Sequence, residues 1–264
     1  MSAPYLPPLD QLLALGRPEA GYREPWPDYL AMGFAEEHVP ELIRMATDEE
    51  LVEGDENAPQ TYGGIHAWRT LGLLRAEAAI EPLVGLLLTD DDWEMNEVPE
   101  VLGMIGPAAF EPLRAALARW SLQQDSWVAG AAARGLVEIA TYFPEARDAA
   151  VAAVTRQLRW WGRQTPDLNT ILIADLVVLE AVEAAPVIEE AFAAGAVDTR
   201  WIPDWEDVQV ALGLLPERIT PRPVYVPVRP HSTPFRIVPP TNAPRPKRRP
   251  KARQAARRHN RKRG

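Results

Sequence analysis

Apolar residues recur along this chain at helical spacing. Ile80, Leu83, Val84, Leu87 and Leu88 fall at i, i+3, i+4, i+7 and i+8. Val98, Val101, Leu102 and Ile105 repeat the pattern, as do Phe110, Leu113, Leu117 and Trp120, and later Val151, Val154, Leu158 and Trp161. Such spacing puts an apolar stripe on one side of each helix. No strand-like alternation occurs before residue 222. The pattern predicts nine or ten helices of about 10–17 residues between residues 28 and 214, joined by short loops. Candidate helix starts are Asp92, Asp125 with Ser126, and Asp167 before Leu168. Pro107 and Pro186 suit first turns, where a missing N–H is harmless. Gly162 and Gly195 suit helix ends, because glycine tolerates positive φ.

The helices come in similar pairs. Leu71-Gly72-Leu73-Leu74, followed by Ala78-Ala79-Ile80-Glu81-Pro82-Leu83, can be laid over Leu102-Gly103-Met104-Ile105, followed by Ala108-Ala109-Phe110-Glu111-Pro112-Leu113. Weaker copies run through Gly135–Ala140 and Leu179–Ile188. The leucines are expected to fill the seam between the helices of a pair, and the glycine to let those helices approach. One pair cannot bury its own stripe, so neighbouring pairs must stack.

This motif, over roughly residues 60–195, resembles HEAT repeats of the short bacterial type also found in phycobilisome lyases. The resemblance implies an all-α fold, a HEAT-like α-solenoid of four to five helical pairs. It also implies a binding scaffold in most such families, and in a minority a lyase-type helper of bilin attachment. A small HEAT body with a Pro-rich, basic C-terminus also resembles certain uncharacterised bacterial proteins, some of which end in a Cys-rich zinc motif. This chain has no Cys, so that metal role does not carry over.

Composition adds a strong asymmetry. The 264 residues carry a net charge of −9, but residues 1–217 hold 13 Arg, no Lys and all 37 acids, a net −24. Residues 218–264 hold 12 Arg and 3 Lys with no acid, a net +15. An acidic body with a basic arm is the natural reading. Residues 1–27 are Pro-rich and irregular, with one short helix expected at Leu9–Leu15; 28–217 form the repeat domain; 218–240 combine Pro with apolar residues and should be extended; 241–264 should be disordered. No basic-then-apolar leader is evident and the most apolar run, Ile171–Val182, contains Asp175 and Glu180, so a cytoplasmic protein without membrane contact is expected.

Candidate chemistry is sparse. The basic run Arg245, Lys247, Arg248, Arg249, Lys251, Arg253, Arg257, Arg258, Arg261, Lys262 and Arg263 would bind a phosphate backbone with little regard to sequence, so RNA, DNA or a ribosome is one candidate partner. Arg156, Arg159 and Arg163 share a helical face with Trp160 beside them, a stripe suited to a protein partner. Asp90, Asp91, Asp92 and Glu94 lack the alternating ligand spacing of a calcium loop, and Glu49, Glu50, Glu53, Asp55 and Glu56 read as a solvated loop. His66, near Tyr62 and Trp68, reads as structural. Trp26, Trp93, Trp127, Trp201 and Trp205 fall near element edges, where they could cover repeat ends. No catalytic, cofactor or metal residue is assigned. The expected function is a non-enzymatic scaffold for protein–protein contact, with nucleic-acid or ribosome association through the basic arm as the alternative.

Overall fold

A computed structural model describes residues 4–18, 26–52, 54–55, 57–88, 92–202 and 204–221 of the chain, with the side chains of 52 and 92–94 left out. The chain divides into two units, Met1–Tyr225 and Val226–Gly264. The second unit, and with it the whole basic run from Arg245 to Arg263, lies outside the described residues.

Twelve α-helices and no strand occur among the described residues. They are α1 (Asp10–Leu15), α2 (Val39–Ala46), α3 (Glu49–Val52), α4 (Gly63–Leu73), α5 (Ile80–Leu86), α6 (Asp92–Ile105), α7 (Phe110–Leu122), α8 (Ser126–Tyr142), α9 (Arg147–Leu158), α10 (Pro166–Val178), α11 (Ala185–Ala193) and α12 (Trp205–Ala211). The helix expected at Leu9–Leu15 is α1. Beyond residue 28 the helices are more numerous and several are shorter than the periodicity predicts. The reason is local. A 3₁₀ turn (Glu77–Ala79, Pro107–Ala109, Pro144–Ala146 or Val182–Ala184) leads into each of α5, α7, α9 and α11 and takes up residues that would otherwise form a first α turn.

Helix ends follow side-chain chemistry. Asp125 accepts from the Val128 N–H at 3.2 Å and Asp204 from the Asp207 N–H at 2.9 Å. α10 starts earlier than Asp167, because Thr165 accepts from the Leu168 N–H at 3.2 Å and Pro166 occupies the first turn. At the other ends, the Ala76 N–H donates to Leu71 O, Asp125 to Trp120 O, Ala181 to Leu176 O and Ala196 to Ala191 O, at 2.9–3.1 Å. This closure needs a left-handed residue, supplied by Arg75, Gln124, Glu180 and Gly195. Gly195 thus does what its position predicts. Gly162 does not: it sits inside a 3₁₀ turn, Trp161–Arg163, without positive φ.

The core is continuous from Leu9 to Leu212. α4 packs on α6, α6 on α8 and α8 on α10; α5 packs on α7, α7 on α9 and α9 on α11. α8 is the common neighbour of α6 and α7, its two most extensive contacts. Leu71, Leu102, Leu113, Leu136, Leu172 and Leu176 are fully buried between these helices, each worth roughly 1.5–3 kcal/mol relative to exposure. The motif glycines do not serve the seam within a pair, as the sequence suggests. Gly72 faces Val101 of α6, and Gly103 faces Glu138 of α8. They set the spacing between successive first helices. A Cβ on Gly103 would lie 2.4 Å from the Glu138 Cβ and 2.7 Å from its backbone carbon.

Polar ties cross the same boundaries. Arg69 on α4 is fully buried and donates to Glu97 of α6 through Nε (2.9 Å) and Nη2 (2.6 Å). The Trp68 indole N–H donates to the same carboxylate at 3.1 Å. Burial alone would lower the Arg69 pKa, but the hydrogen bond and charge of Glu97 outweigh it and raise it. His66 shows a matching satisfaction: its Nε2–H donates to Gly16 O (2.8 Å), so Nδ1 accepts from the Tyr29 hydroxyl (2.7 Å). These bonds hold the N-terminal segment on α4. At the other end Arg218 pairs with Asp204 (2.6 Å) and Asp207 (2.7 Å) at the start of α12, while Glu206 accepts from the Ile219 N–H at 2.6 Å.

Gly103→Ala should lower stability by roughly 1–3 kcal/mol, because backbone must move to admit the methyl group. Gly85→Ala, on α5 with nothing within 4 Å, should raise it by about 0.5–1 kcal/mol. Chemical denaturation of the two variants checks the opposite signs; equal behaviour would refute the close stack.

Candidate functional site

The Arg/Trp stripe lies at the C-terminal end of α9. Arg156 is on the helix, Arg159 and Trp160 follow its end, and Arg163 closes the next 3₁₀ turn. All four side chains are exposed, Trp160 by half. The Arg163 guanidinium stacks over the Trp160 ring at 5.0 Å. Among the described residues Arg156 and Arg159 make no ion pair or hydrogen bond. α9 ends at Leu158, so Arg156, Arg159 and Arg163 do not share one helical face as their spacing suggests; Arg159, Trp160 and Arg163 run through the turns that follow the helix, and flanking helices add neighbours.

Two clefts run alongside α9. The larger, about 350 Å³, lies towards α11 and is lined by Asp148, Val151, Ala152, Thr155, Arg156, Arg159 and Glu183. The smaller, about 170 Å³, lies towards α7 and is lined by Arg114, Leu117, Ala118, Ala153, Arg156, Gln157 and Trp160. Arg156 borders both. The acids here are already engaged. Arg147 Nη1 lies 3.2 Å from Asp148 and 3.1 Å from Glu183, and Arg114 binds Glu111 at 2.6 Å. The hydrogen bond from Arg114 holds the Glu111 carboxyl below its ordinary range, with the field of Arg156 adding to it. The Thr155 hydroxyl oxygen is shielded from solvent and has no hydrogen-bond partner.

A chain of amides fixes this end of α9. Gln157 Nε2 donates to Ser121 Oγ of α7 (2.8 Å) and to Gln164 Oε1 (2.6 Å); Gln164 Nε2 donates to Asn169 Oδ1 of α10 (2.8 Å). Buried Asn169 then donates to Trp161 O (3.1 Å) and Ala196 O (2.8 Å). The cations thus stand on a rigid base, and the lining supplies the chemistry of recognition: guanidinium, amide and an aromatic face. Sequence reasoning missed Arg114, Thr155 and Gln157, because their place in the site depends on how α7 and α9 lie side by side.

A second polar cluster sits between α6, α8 and α10. Asp175 is fully buried 3.1 Å from Arg134 Nη2, and neither carboxylate oxygen accepts a hydrogen bond. Burial pushes its pKa up to about 7, against the pull of Arg134 and with the push of Glu138. Burial also raises Glu138, reinforced by Glu100. Tyr142 donates to Glu100 at 3.1 Å, and burial first, then that carboxylate, pushes the phenol up to about 12.

The remaining sequence candidates divide. Trp26 is partly buried beneath Arg69 (5.2 Å) and Trp205 lies against Phe192 (6.3 Å between ring centres), as edge-covering residues should. Trp127 and Trp201 are mostly exposed instead. Asp90 and Asp91, and the side chains of Asp92, Trp93 and Glu94, lie outside what the structure describes. No described helix is long and apolar enough to cross a membrane. No family model, curated protein or solved structure matches this chain.

The Asp175 carboxyl makes stability pH-dependent in a stated direction. Its folded pKa, about 7, lies above its ordinary 3.8. The folded state therefore holds the proton more tightly, and stability is lost as pH climbs from the ordinary value through 7. Asp175→Asn should stabilise the protein above pH 7 by on the order of a few kcal/mol, with the gain shrinking towards pH 4. Denaturation at several pH values checks this; a pH-independent difference would overturn it.

Proposed function

We propose that this chain is a non-enzymatic scaffold of the HEAT type, an α-solenoid of four to five helical pairs that binds a protein partner in the cytoplasm. The order of contacts supports the solenoid reading: each helix from α4 to α9 meets the one two places further on, as stacked hairpins require. One observation carries the functional reading. The second helices of the pairs form a face on which two clefts meet at an unpaired arginine, Arg156. Repeat scaffolds use such continuous helix faces for recognition.

The basic C-terminal run supports a second reading, contact with RNA, DNA or a ribosome. Its eleven cations, with no acid among them, would release counterions from a phosphate backbone and give salt-sensitive, sequence-blind affinity. The two readings separate in one experiment. A chain ending at residue 221 should keep its protein partners in a native pull-down and lose any co-purifying nucleic acid. If every protein partner vanishes with the tail, recognition does not reside on the helical face.

A further inference from the structure

The face around α9 is electrically unlike the body that carries it. Residues 1–217 have a net charge of −24. Yet Asp148 and Glu183 are both engaged by Arg147, and Glu111 by Arg114, while Arg156 and Arg159 have no partner. Arg147 is shared by two carboxylates and offsets only one of them, so the surplus among these seven groups is a single positive charge, carried by Arg156 and Arg159. Trp160 adds a half-exposed ring at the border of the smaller cleft.

Resting on the scaffold reading, we propose that this face binds an acidic peptide segment of a partner protein, laid across α9 with its carboxylates on Arg156 and Arg159 and an apolar side chain against Trp160. Guanidinium groups hold carboxylates bidentately, and two of them are available within one helical turn. A cleft of about 350 Å³ has room for a few side chains. A nucleic acid fits this face less well, because its unbroken run of phosphates would extend beyond the patch onto a body that is strongly acidic.

The test uses the full chain and a short fluorescent peptide rich in Glu and Asp, with one Leu and a photo-cross-linker. The matched peptide has Gln and Asn in place of the acids. The acidic peptide should bind in a salt-sensitive manner, and the matched one should not. Arg156→Glu with Arg159→Glu should weaken binding by about tenfold or more, the loss of a well-placed charge contact. Arg156→Gln with Arg159→Gln should weaken it less, in the same direction. Both pairs alter exposed, unpaired side chains, and an unchanged circular dichroism spectrum confirms folding. Cross-links should map to residues 148–160. Undiminished binding by the Glu double variant, equal binding of the matched peptide, or cross-links confined to residues 222–264 would each overturn the proposal. If the peptide fails but the chain ending at residue 221 still holds its protein partners, the acidic-segment assignment falls and the scaffold stands. If both fail, both fall.

Discussion

The approach of Gly103 to the backbone of Glu138 is the constraint on which the helical array depends. No side chain can stand between α6 and α8 at that point, so the two helices pack almost backbone to backbone. Gly72 allows a looser approach between α4 and α6, where a Cβ would lie 3.3 Å from Val101 Cγ1, and Gly130 lets Ile171 of α10 seat on α8. With the spacing of the first helices fixed, the leucines between them have one arrangement that fills the interior. The second helices follow, because each is tied to its neighbours by short 3₁₀ turns and by the leucines it shares. The surface of α9 is a consequence of this order: its clefts are the grooves left where α7, α9 and α11 lie side by side.

Buried polar groups add specificity to the apolar stack. The Arg69–Glu97 pair is satisfied on several sides by Trp68, Trp26 and Tyr29. Breaking one partner would leave a charge in the interior, which costs far more than an exposed pair returns. Such a pair favours one register of α4 on α6 over slipped alternatives. Asn169 does the same at the far end of the body, where its amide group bridges α10 to Trp161 and Ala196. Asp175 is the counterexample. Its carboxylate is paired on one side only, and it is held at the cost of a raised affinity for protons.

Much of the array was legible in the sequence, and the reasons for the failures are physical. Stripes such as Phe110, Leu113 and Leu117 locate α7 because burial imposes the helical period on residue choice. The Arg156, Arg159 and Trp160 run was legible because residues so close in sequence stay together without tertiary information, although the helix expected to carry all three stops at Leu158. The role of Gly72 and Gly103 was misplaced, since a glycine announces close approach without naming what approaches. The short α5 was hidden because Glu77–Ala79 has the composition of an α turn and adopts a 3₁₀ one. Arg69 and Asp175 carried a signal, a charge inside an apolar helical run, but their partners lie on other helices. Thr155 carried none, as its isolation appears only once the cleft walls are in place.

The ties between helices share one property. Arg69 reaches Glu97 28 residues on, Arg147 reaches Leu179 32 on, and Gln157 reaches back 36 to Ser121. Each joins a hairpin to the next and to nothing more distant. A duplicated hairpin spliced into the array would therefore disturb a single junction and leave the remaining neighbours as they were. Such short-range wiring confines the effect of a lost tie to the helices on either side of it.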